Sequence, residues 1–236
     1  MIVAAGGTGT RFGRAEGKQL APLMGKTVVA WALEPFISLP GVTEIVVVCH
    51  PERCEEFAAR LAGIVPAGIV LSVVPGGETR QHSVFRGLAA LSSECKVVVV
   101  HDGARPLITS ALVAEVVGAL LADPGIEGAI VGHPSVDTLK RVVRTDGECR
   151  VIDTPDRAGY WAVQTPQVFR AGPLREAHQA ALGAGFEATD DSALVERAGG
   201  SVAIVQGPRD NLKVTHEEDL VIAEAILKAR QREERS

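Results

Sequence analysis

Val97-Val98-Val99-Val100-His101-Asp102-Gly103-Ala104-Arg105-Pro106 decides how the rest of this chain reads. Four valines with no polar alternation fit a strand covered on both faces, the pattern of a parallel sheet. The run ends abruptly in polar and turn-forming residues, which places His101 and Asp102 at the carboxyl end of that strand. Upstream, Ile69-Val70-Leu71-Ser72-Val73-Val74 and Ile45-Val46-Val47-Val48 repeat the pattern. Helix-like stretches separate these runs, at 28–39, 52–61, 83–91 and 112–121, with Pro51 suited to a helix N1 position and Thr109 to an N-cap. Strand alternating with helix predicts right-handed βαβ units, hence an α/β fold with an open parallel sheet and helices on both faces.

The alternation breaks after 126–131. There Thr138-Leu139-Lys140-Arg141-Val142-Val143-Arg144 and Arg150-Val151-Ile152-Asp153-Thr154 flank a segment containing Asp146-Gly147. Asp-Gly between two strand-like runs signals a hairpin, so about 134–157 is expected to leave the main sheet as an arm. Its apolar positions have no helix to cover them, and a partner subunit is the expected cover. Regular alternation resumes with helices at 173–182 and after Thr189, a strand at 202–205, and a last helix. Thr215-His216-Glu217-Glu218 has the form of a capping box for that helix, and the charged tail 228–236 reads as its solvated end. Gln164-Thr165-Pro166-Gln167 reads as a polar, proline-stiffened turn.

Composition sets outer limits. With 236 residues, 46% hydrophobic and 22% charged, the chain suffices for one substantial core and a single domain spanning 1–236. The net charge of −5 argues against general nucleic-acid binding, so a phosphate ligand must be met by a local basic cluster. Cys49, Cys54, Cys95 and Cys149 have neither metal-site spacing nor disulfide-scaffold density and read as reduced thiols. No apolar run approaches the roughly 20 residues needed to span a bilayer, and the chain opens on the strand-like Met1-Ile2-Val3 rather than a basic leader. A cytoplasmic protein that binds neither nucleic acid nor membrane is expected.

The first strand runs into Ala4-Ala5-Gly6-Gly7-Thr8-Gly9-Thr10-Arg11-Phe12-Gly13, with Lys18-Gln19 following. Gly6, Gly7 and Gly9 let backbone N–H groups approach a phosphate chain, and Arg11 and Lys18 add charge. The segment is not a Walker A loop, because no Gly-Lys-Ser/Thr follows. It also departs from the dinucleotide fingerprint: Gly13 comes one residue late, and the second strand ends in Cys49-His50, with no acid for a ribose. Pro75-Gly76-Gly77-Glu78-Thr79-Arg80-Gln81-His82-Ser83 falls at the same sheet edge, where open α/β sheets bind ligands. Asp102 either caps a turn or holds Mg²⁺ against a triphosphate, and Arg105, kept extended by Pro106, is free to point at a phosphate. His82 and His101 read as hydrogen-bonding structural residues. In Asp210-Asn211-Leu212-Lys213-Val214-Thr215, Lys213 is either an ordinary surface lysine or an ammonium delivered to the triphosphate.

These segments, together with Asp137-Thr138, Gln164-Thr165-Pro166-Gln167 and Thr189-Asp190-Asp191, resemble in order and interval the motifs of the 2-C-methyl-D-erythritol 4-phosphate cytidylyltransferases, over nearly the whole chain. The chain departs from the family's usual pattern at Gly17, where proline is frequent, at Leu20, where an aromatic is frequent, and at Gly103, where alanine is common. The resemblance implies a Rossmann-like sheet with a dimerising β-arm. It also implies a transfer in which CTP·Mg²⁺ binds first and the 4-phosphate of methylerythritol attacks the α-phosphorus. It assigns charge stabilisation to Arg11, Lys18 and Lys213, and the metal to Asp102. CTP would be held by Ala4, Ala5, Gly6, Gly7, Gly9, Gly77, Glu78, Ser83, Asp102 and Gly103. The acceptor, a small polyol phosphate, would meet Arg105, Thr138, Thr165 and Thr189, with Arg157 donated by the other subunit of a homodimer. Two other readings stay open, a ribitol 5-phosphate cytidylyltransferase and a non-catalytic nucleotide-binding regulator; a more distant one is a nucleoside-diphosphate-sugar pyrophosphorylase acting on a hexose 1-phosphate, whose larger substrate would not need the short polar arm. The segment Asp156-Arg157-Ala158-Gly159-Tyr160-Trp161 favours the methylerythritol family over the first. The joint presence of Arg11, Lys18, Asp102 and Lys213 argues against the second.

Overall fold

The strands, in chain order, are β1 (Ile2–Ala5), β2 (Pro22–Leu23), β3 (Lys26–Thr27), β4 (Glu44–Cys49), β5 (Val70–Pro75), β6 (Val97–Asp102), β7 (Gly128–Pro134), β8 (Arg141–Thr145), β9 (Glu148–Asp153), β10 (Trp161–Arg170) and β11 (Val202–Gln206). The helices are α1 (Gly17–Leu20), α2 (Val28–Ile37), α3 (Cys54–Leu61), α4 (Arg80–Ala90), α5 (Ser110–Ala122), α6 (Ala171–Gly183), α7 (Asp191–Arg197) and α8 (Glu218–Glu233). They come from a computed structural model that describes residues 1–7, 12–13, 17–145 and 147–233.

The apolar runs become a seven-stranded sheet in the order β11-β7-β10-β6-β1-β4-β5. All pairings are parallel except those of β10, which runs antiparallel to both β6 and β7. Side chains alternate between faces along each strand, which explains why unbroken valine runs are needed. Val3, Ile45 and Val47 pack with Leu33 and Phe36 of α2, Phe57 of α3 and Val113 and Val116 of α5. Their neighbours Ile2, Val46, Val48, Val98 and Val100 pack with Val84 and Leu88 of α4, Leu174 of α6 and Leu194 of α7. A third cluster fastens α8, through Leu220, Ala223 and Leu227, to Phe12, Leu23, Leu107 and Val214.

The sheet, its layers and the expected helices therefore match the sequence, with two local corrections. The segment at 164–167 is not a turn but the middle of β10. Its pairing with β7 jumps from Val163↔Gly132 to Gln167↔Ile130, so two extra residues bulge out of the ladder. Pro166, which has no N–H to give, sits within that bulge, where no ladder bond is lost. The capping box at Thr215 does not form either. The Thr215 hydroxyl donates to the Lys213 carbonyl at 3.1 Å, while Asp219 Oδ2 accepts from the Thr215 and His216 amides at 2.7 and 2.8 Å. A carboxylate one residue further along bonds these amides in place of the expected Thr–Glu exchange. Thr109 does act as N-cap, its hydroxyl accepting from Leu112 N at 3.3 Å.

The arm forms as a two-stranded ribbon of β8 and β9 apart from the main sheet. Asp146 lies outside the described residues, while Gly147 takes the left-handed φ of 81° that such a turn demands. Every residue of both strands is exposed. Val142, Val143, Val151 and Ile152, with Tyr160 just before β10 and Trp161 and Val163 at its start, give the arm and its base an apolar surface uncovered in the single chain. Among the described residues, no helix is long and apolar enough to cross a membrane.

Candidate active site

β1 has β4 on one side and β6 on the other, so the chain's progress across the sheet reverses there. Ligands bind outside the carboxyl ends of strands at such a reversal. A cavity opens at that place, lined by Ala4, Gly6, Gly7, Lys18, Gln19, Gly77, Glu78, Thr79, Arg80, Ser83, Asp102, Ala104 and Lys213.

One wall is the turn into α4. Thr79 caps that helix by accepting from His82 N at 3.2 Å. Ser83, one turn in, donates to the Thr79 carbonyl at 2.9 Å and accepts from Gly77 N at 3.1 Å. This folds Gly77 so tightly over the helix that a Cβ on it would stand 2.4 Å from the His82 Cβ and 3.1 Å from the His82 carbonyl carbon. Gly77→Ala is accordingly expected to displace this wall, raising the KM of the cavity's ligand by about 10-fold or more, with far-UV circular dichroism unchanged. An unaltered KM would remove the wall from the binding site.

Opposite, Lys18 and Gln19 stand on α1. Gly17 opens that turn with φ of 66°, a conformation closed to proline, whose ring fixes φ near about −65°. A Cβ here would also lie 2.9 Å from Arg53 Nη1. Gln19, buried, donates from Nε2 to the Gly7 carbonyl at 3.5 Å, a long bond tying the two segments.

Asp102 forms the floor. Its backbone N–H donates to Thr165 Oγ1 at 3.0 Å, and Thr165 also meets His101 Nδ1 at 3.0 Å. Lys213 Nζ lies 2.8 Å from Asp102 Oδ2, while Arg80 Nε and Arg105 Nε each lie 3.5 Å from the carboxylate. Burial alone pushes the Asp102 carboxyl up; Lys213, then Arg80 and Arg105, more than reverse this and hold it well below the usual carboxylate range. Burial pushes His101 down to about 4, so it is a neutral hydrogen-bonding residue at pH 7, as its sequence context suggested. Arg105 donates from Nη1 to the Asn211 carbonyl at 2.7 Å; its buried Nε has no well-aligned hydrogen bond, so its link to Asp102 is ionic.

Lys213 reaches the floor because its neighbours are locked. Asn211, fully buried, donates to Gln164 Oε1 and the Thr165 carbonyl, both at 3.0 Å. Val214 N donates to the Ala104 carbonyl at 2.8 Å, and the Val214 side chain joins the cluster under α8. With the residues on either side fixed, Lys213 turns toward the cavity.

Of the residues the sequence singled out, the fold gathers Ala4, Gly6, Gly7, Lys18, Gly77, Glu78, Ser83, Asp102 and Lys213 around one space. Arg105 and Thr165 adjoin it through Asp102. Ala5 and Gly103 do not line it: Ala5 packs into the core, and a Cβ on Gly103 would meet Val3, Ala5 and Val29 at 3.1–3.3 Å. Thr138, Arg157 and Thr189 are exposed and stand outside the cavity wall. The Arg157 guanidinium donates to the Val136 carbonyl of its own arm. Gly9 and Arg11 lie outside the described residues. Arg80 and Gln19 also line the cavity, and in sequence Arg80 is legible only as a charge next to a helix cap.

An acid held ionised among three cations, at the reversal point of a doubly wound sheet and beside two glycine-bearing loops, defines a nucleotide-binding α/β protein. Comparison narrows this. Residues 1–229 match the family model of 2-C-methyl-D-erythritol 4-phosphate cytidylyltransferase. A relative so named from Caldanaerobacter subterraneus is 38% identical over 96% of this chain and 97% of its own length. One from Pelotomaculum thermopropionicum is 43% identical over 98% and 94%. The crystal structure of 4-diphosphocytidyl-2C-methyl-D-erythritol synthase from Anaerococcus prevotii superposes with a TM-score of 0.80 at 28% identity, covering 96% of each chain. That of the cytidylyltransferase from Thermus thermophilus gives 0.73 at 32%, over 97% of this chain and 98% of its own. The chain belongs to the 2-C-methyl-D-erythritol 4-phosphate cytidylyltransferase family. It is a nucleotidyltransferase whose reaction is CTP-dependent cytidylyl transfer to 2-C-methyl-D-erythritol 4-phosphate, a step of isoprenoid precursor synthesis.

Proposed function

We propose that CTP occupies the cavity at the carboxyl edge, with its cytosine against the Gly77–Ser83 wall and its triphosphate between Lys18 and Lys213. The observation that carries this reading is the Lys213–Asp102 pair at 2.8 Å on the cavity floor, opposite Lys18. A 4-phosphate oxygen of the acceptor attacks the α-phosphorus in line, the bond to the bridging oxygen breaks, and pyrophosphate leaves. No covalent enzyme intermediate is needed. The chain's part is to position the two substrates and to neutralise charge building on the α-phosphate and the leaving group, through Lys18, Lys213 and Arg11. Arg105, Thr138, Thr165 and Thr189 are the residues proposed to meet the acceptor, with Arg157 arriving from a second subunit whose arm covers the apolar surface of the first.

Mg²⁺ fits the residues present. Among those described, no group of three or more His, Cys, Asp or Glu side chains gathers. One ionised carboxylate at the floor suits a hard cation carried mainly by phosphate and water oxygens, and Asp102 would hold it. Bound there, Mg²⁺ would supply positive charge to offset that of the phosphates. Four free cysteines agree with a reducing, cytoplasmic setting.

Base selection tests the assignment of the Gly77–Ser83 wall. A site built to pair with the cytosine amine leaves polar groups unmatched when uracil enters, so kcat/KM for CTP should exceed that for UTP by on the order of 10²-fold or more. Equal efficiencies would reject this placement of the base.

A further inference from the structure

Arg80 spans two carboxylates that serve different parts of the site. Its Nη1 lies 2.7 Å from Asp191 Oδ2, and its Nε lies 3.5 Å from Asp102 Oδ1. The Asp191 end is buried and hydrogen-bonded on several sides. Its other oxygen meets His178 Nε2 at 3.0 Å, and both side chains are buried. The Asp191 and Ser192 amides donate to Gln167 Oε1 at 3.2 and 3.3 Å, and Gln167 Nε2 donates to Asp190 Oδ2 at 2.8 Å. Thr189 directly precedes this knot. The Asp102 end is the cavity floor, where the same carboxylate holds Lys213 at 2.8 Å. A continuous path therefore runs from the Thr189 loop through Asp191 and Arg80 to Asp102 and Lys213.

We propose that Arg80 is a positioning residue that locks the orientation of Asp102 to the Thr189 loop, so that the acceptor-binding and nucleotide-binding halves of the site keep one relative geometry. The proposal rests on the roles given above to Asp102, Lys213 and Thr189. Its chemistry calls for arginine in particular. A planar guanidinium presents separate N–H groups to two acids at once, whereas a lysine ammonium at the end of a flexible stem is a point charge with no such fork. Arg80 also supplies part of the compensation that Asp102 needs, leaving the Lys213 ammonium available to a phosphate. Burial pushes the Asp191 carboxyl up, and Arg80 together with His178 more than reverses this, so the anchor stays ionised.

The test uses Arg80→Gln, Arg80→Lys, Asp191→Asn and the Gln/Asn double variant in the full-length protein. Kinetics are measured for each substrate and CTP binding by calorimetry, and circular dichroism and thermal midpoints report the fold. Arg80→Gln should lower kcat/KM for the acceptor by on the order of 10- to 100-fold. The Kd for CTP, whose cavity Arg80 also lines, should change less than the acceptor kcat/KM does, since both lysines remain. Arg80→Lys should recover little of the loss. Asp191→Asn, whose side chain is buried and does not line the cavity, should reproduce the defect in weaker form, and the double variant should be no worse than Arg80→Gln alone. The proposal is overturned if Arg80→Lys restores activity, if the two losses multiply, or if folded Arg80→Gln is as active as wild type. If Arg80→Gln does not fold, Arg80→Lys, which keeps a cation beside Asp191, decides by the same acceptor kcat/KM. A wild-type enzyme that ignores the acceptor would instead refute the underlying reading, whatever Arg80 does.

Discussion

Lys213→Ala and Lys18→Ala are each expected to lower kcat by on the order of 10²-fold or more while the protein stays folded. The acceptor's attack concentrates negative charge on the α-phosphate and the departing pyrophosphate. A cation fixed before the reaction starts stabilises that charge without reorganising during it. Lys213 has such a fixed place, because Asn211 and Val214 hold the backbone on either side and Asp102 holds its ammonium at 2.8 Å. Removing the side chain takes away the transition-state interaction but leaves Asp102 compensated by Arg80 and Arg105, so the floor should not collapse. Lys18 sits on the opposite wall, and its loss should act chiefly on kcat, since the charge it meets grows in the transition state. Single-turnover measurements with saturating CTP separate this from weaker binding. Either alanine variant turning over at the wild-type rate would remove that lysine from the chemistry.

Mixed dimers give the second large effect. Lys18→Ala and Arg157→Ala homodimers are each expected to be inactive, yet exchange of subunits between them should recover about a quarter of wild-type activity. The arm is the reason. Both of its strands are exposed, it carries uncovered valines and isoleucine, and Arg157 at its base stands outside the cavity of its own chain. In an isologous dimer whose arms cross, each site combines one subunit's Lys18 with the other's Arg157. A mixed dimer then has one site with both defects and one with neither. Random exchange makes about half the dimers mixed, which yields the quarter. No recovery, with exchange confirmed by differently tagged subunits, would place Arg157 in its own subunit's site or outside the reaction.

Local pattern carried the sheet into view because the strongest strands are buried on both faces. Val97–Asp102 and Glu44–Cys49 need apolar side chains at nearly every position, and no helix of that length competes with such a run. The cavity's main walls followed from it, since polar segments after parallel strands must emerge at one edge. β10 stayed hidden for a physical reason. Its inner residues Gln164, Thr165 and Gln167 are polar because they hold Asn211, Asp102 and Asp190 in place, and that service erases the alternation by which a strand is recognised. The role of Arg80 was hidden likewise, because its partner Asp191 is 111 positions away in the chain. The failed capping box at Thr215 shows the reverse case, a local motif displaced when Asp219 took the Thr215 amide that Glu218 would have held.

Above all, this cavity is held to join CTP to the phosphate of a short branched polyol. Pyrophosphate release with CTP and Mg²⁺ tests that most directly, measured with 2-C-methyl-D-erythritol 4-phosphate, with ribitol 5-phosphate, with a hexose 1-phosphate and with no acceptor. Stoichiometric release and a cytidylyl diphosphate product are expected with the methylerythritol phosphate, and background release with the other three. Release that is fastest with ribitol 5-phosphate, or absent with every acceptor although CTP binds, would contradict it.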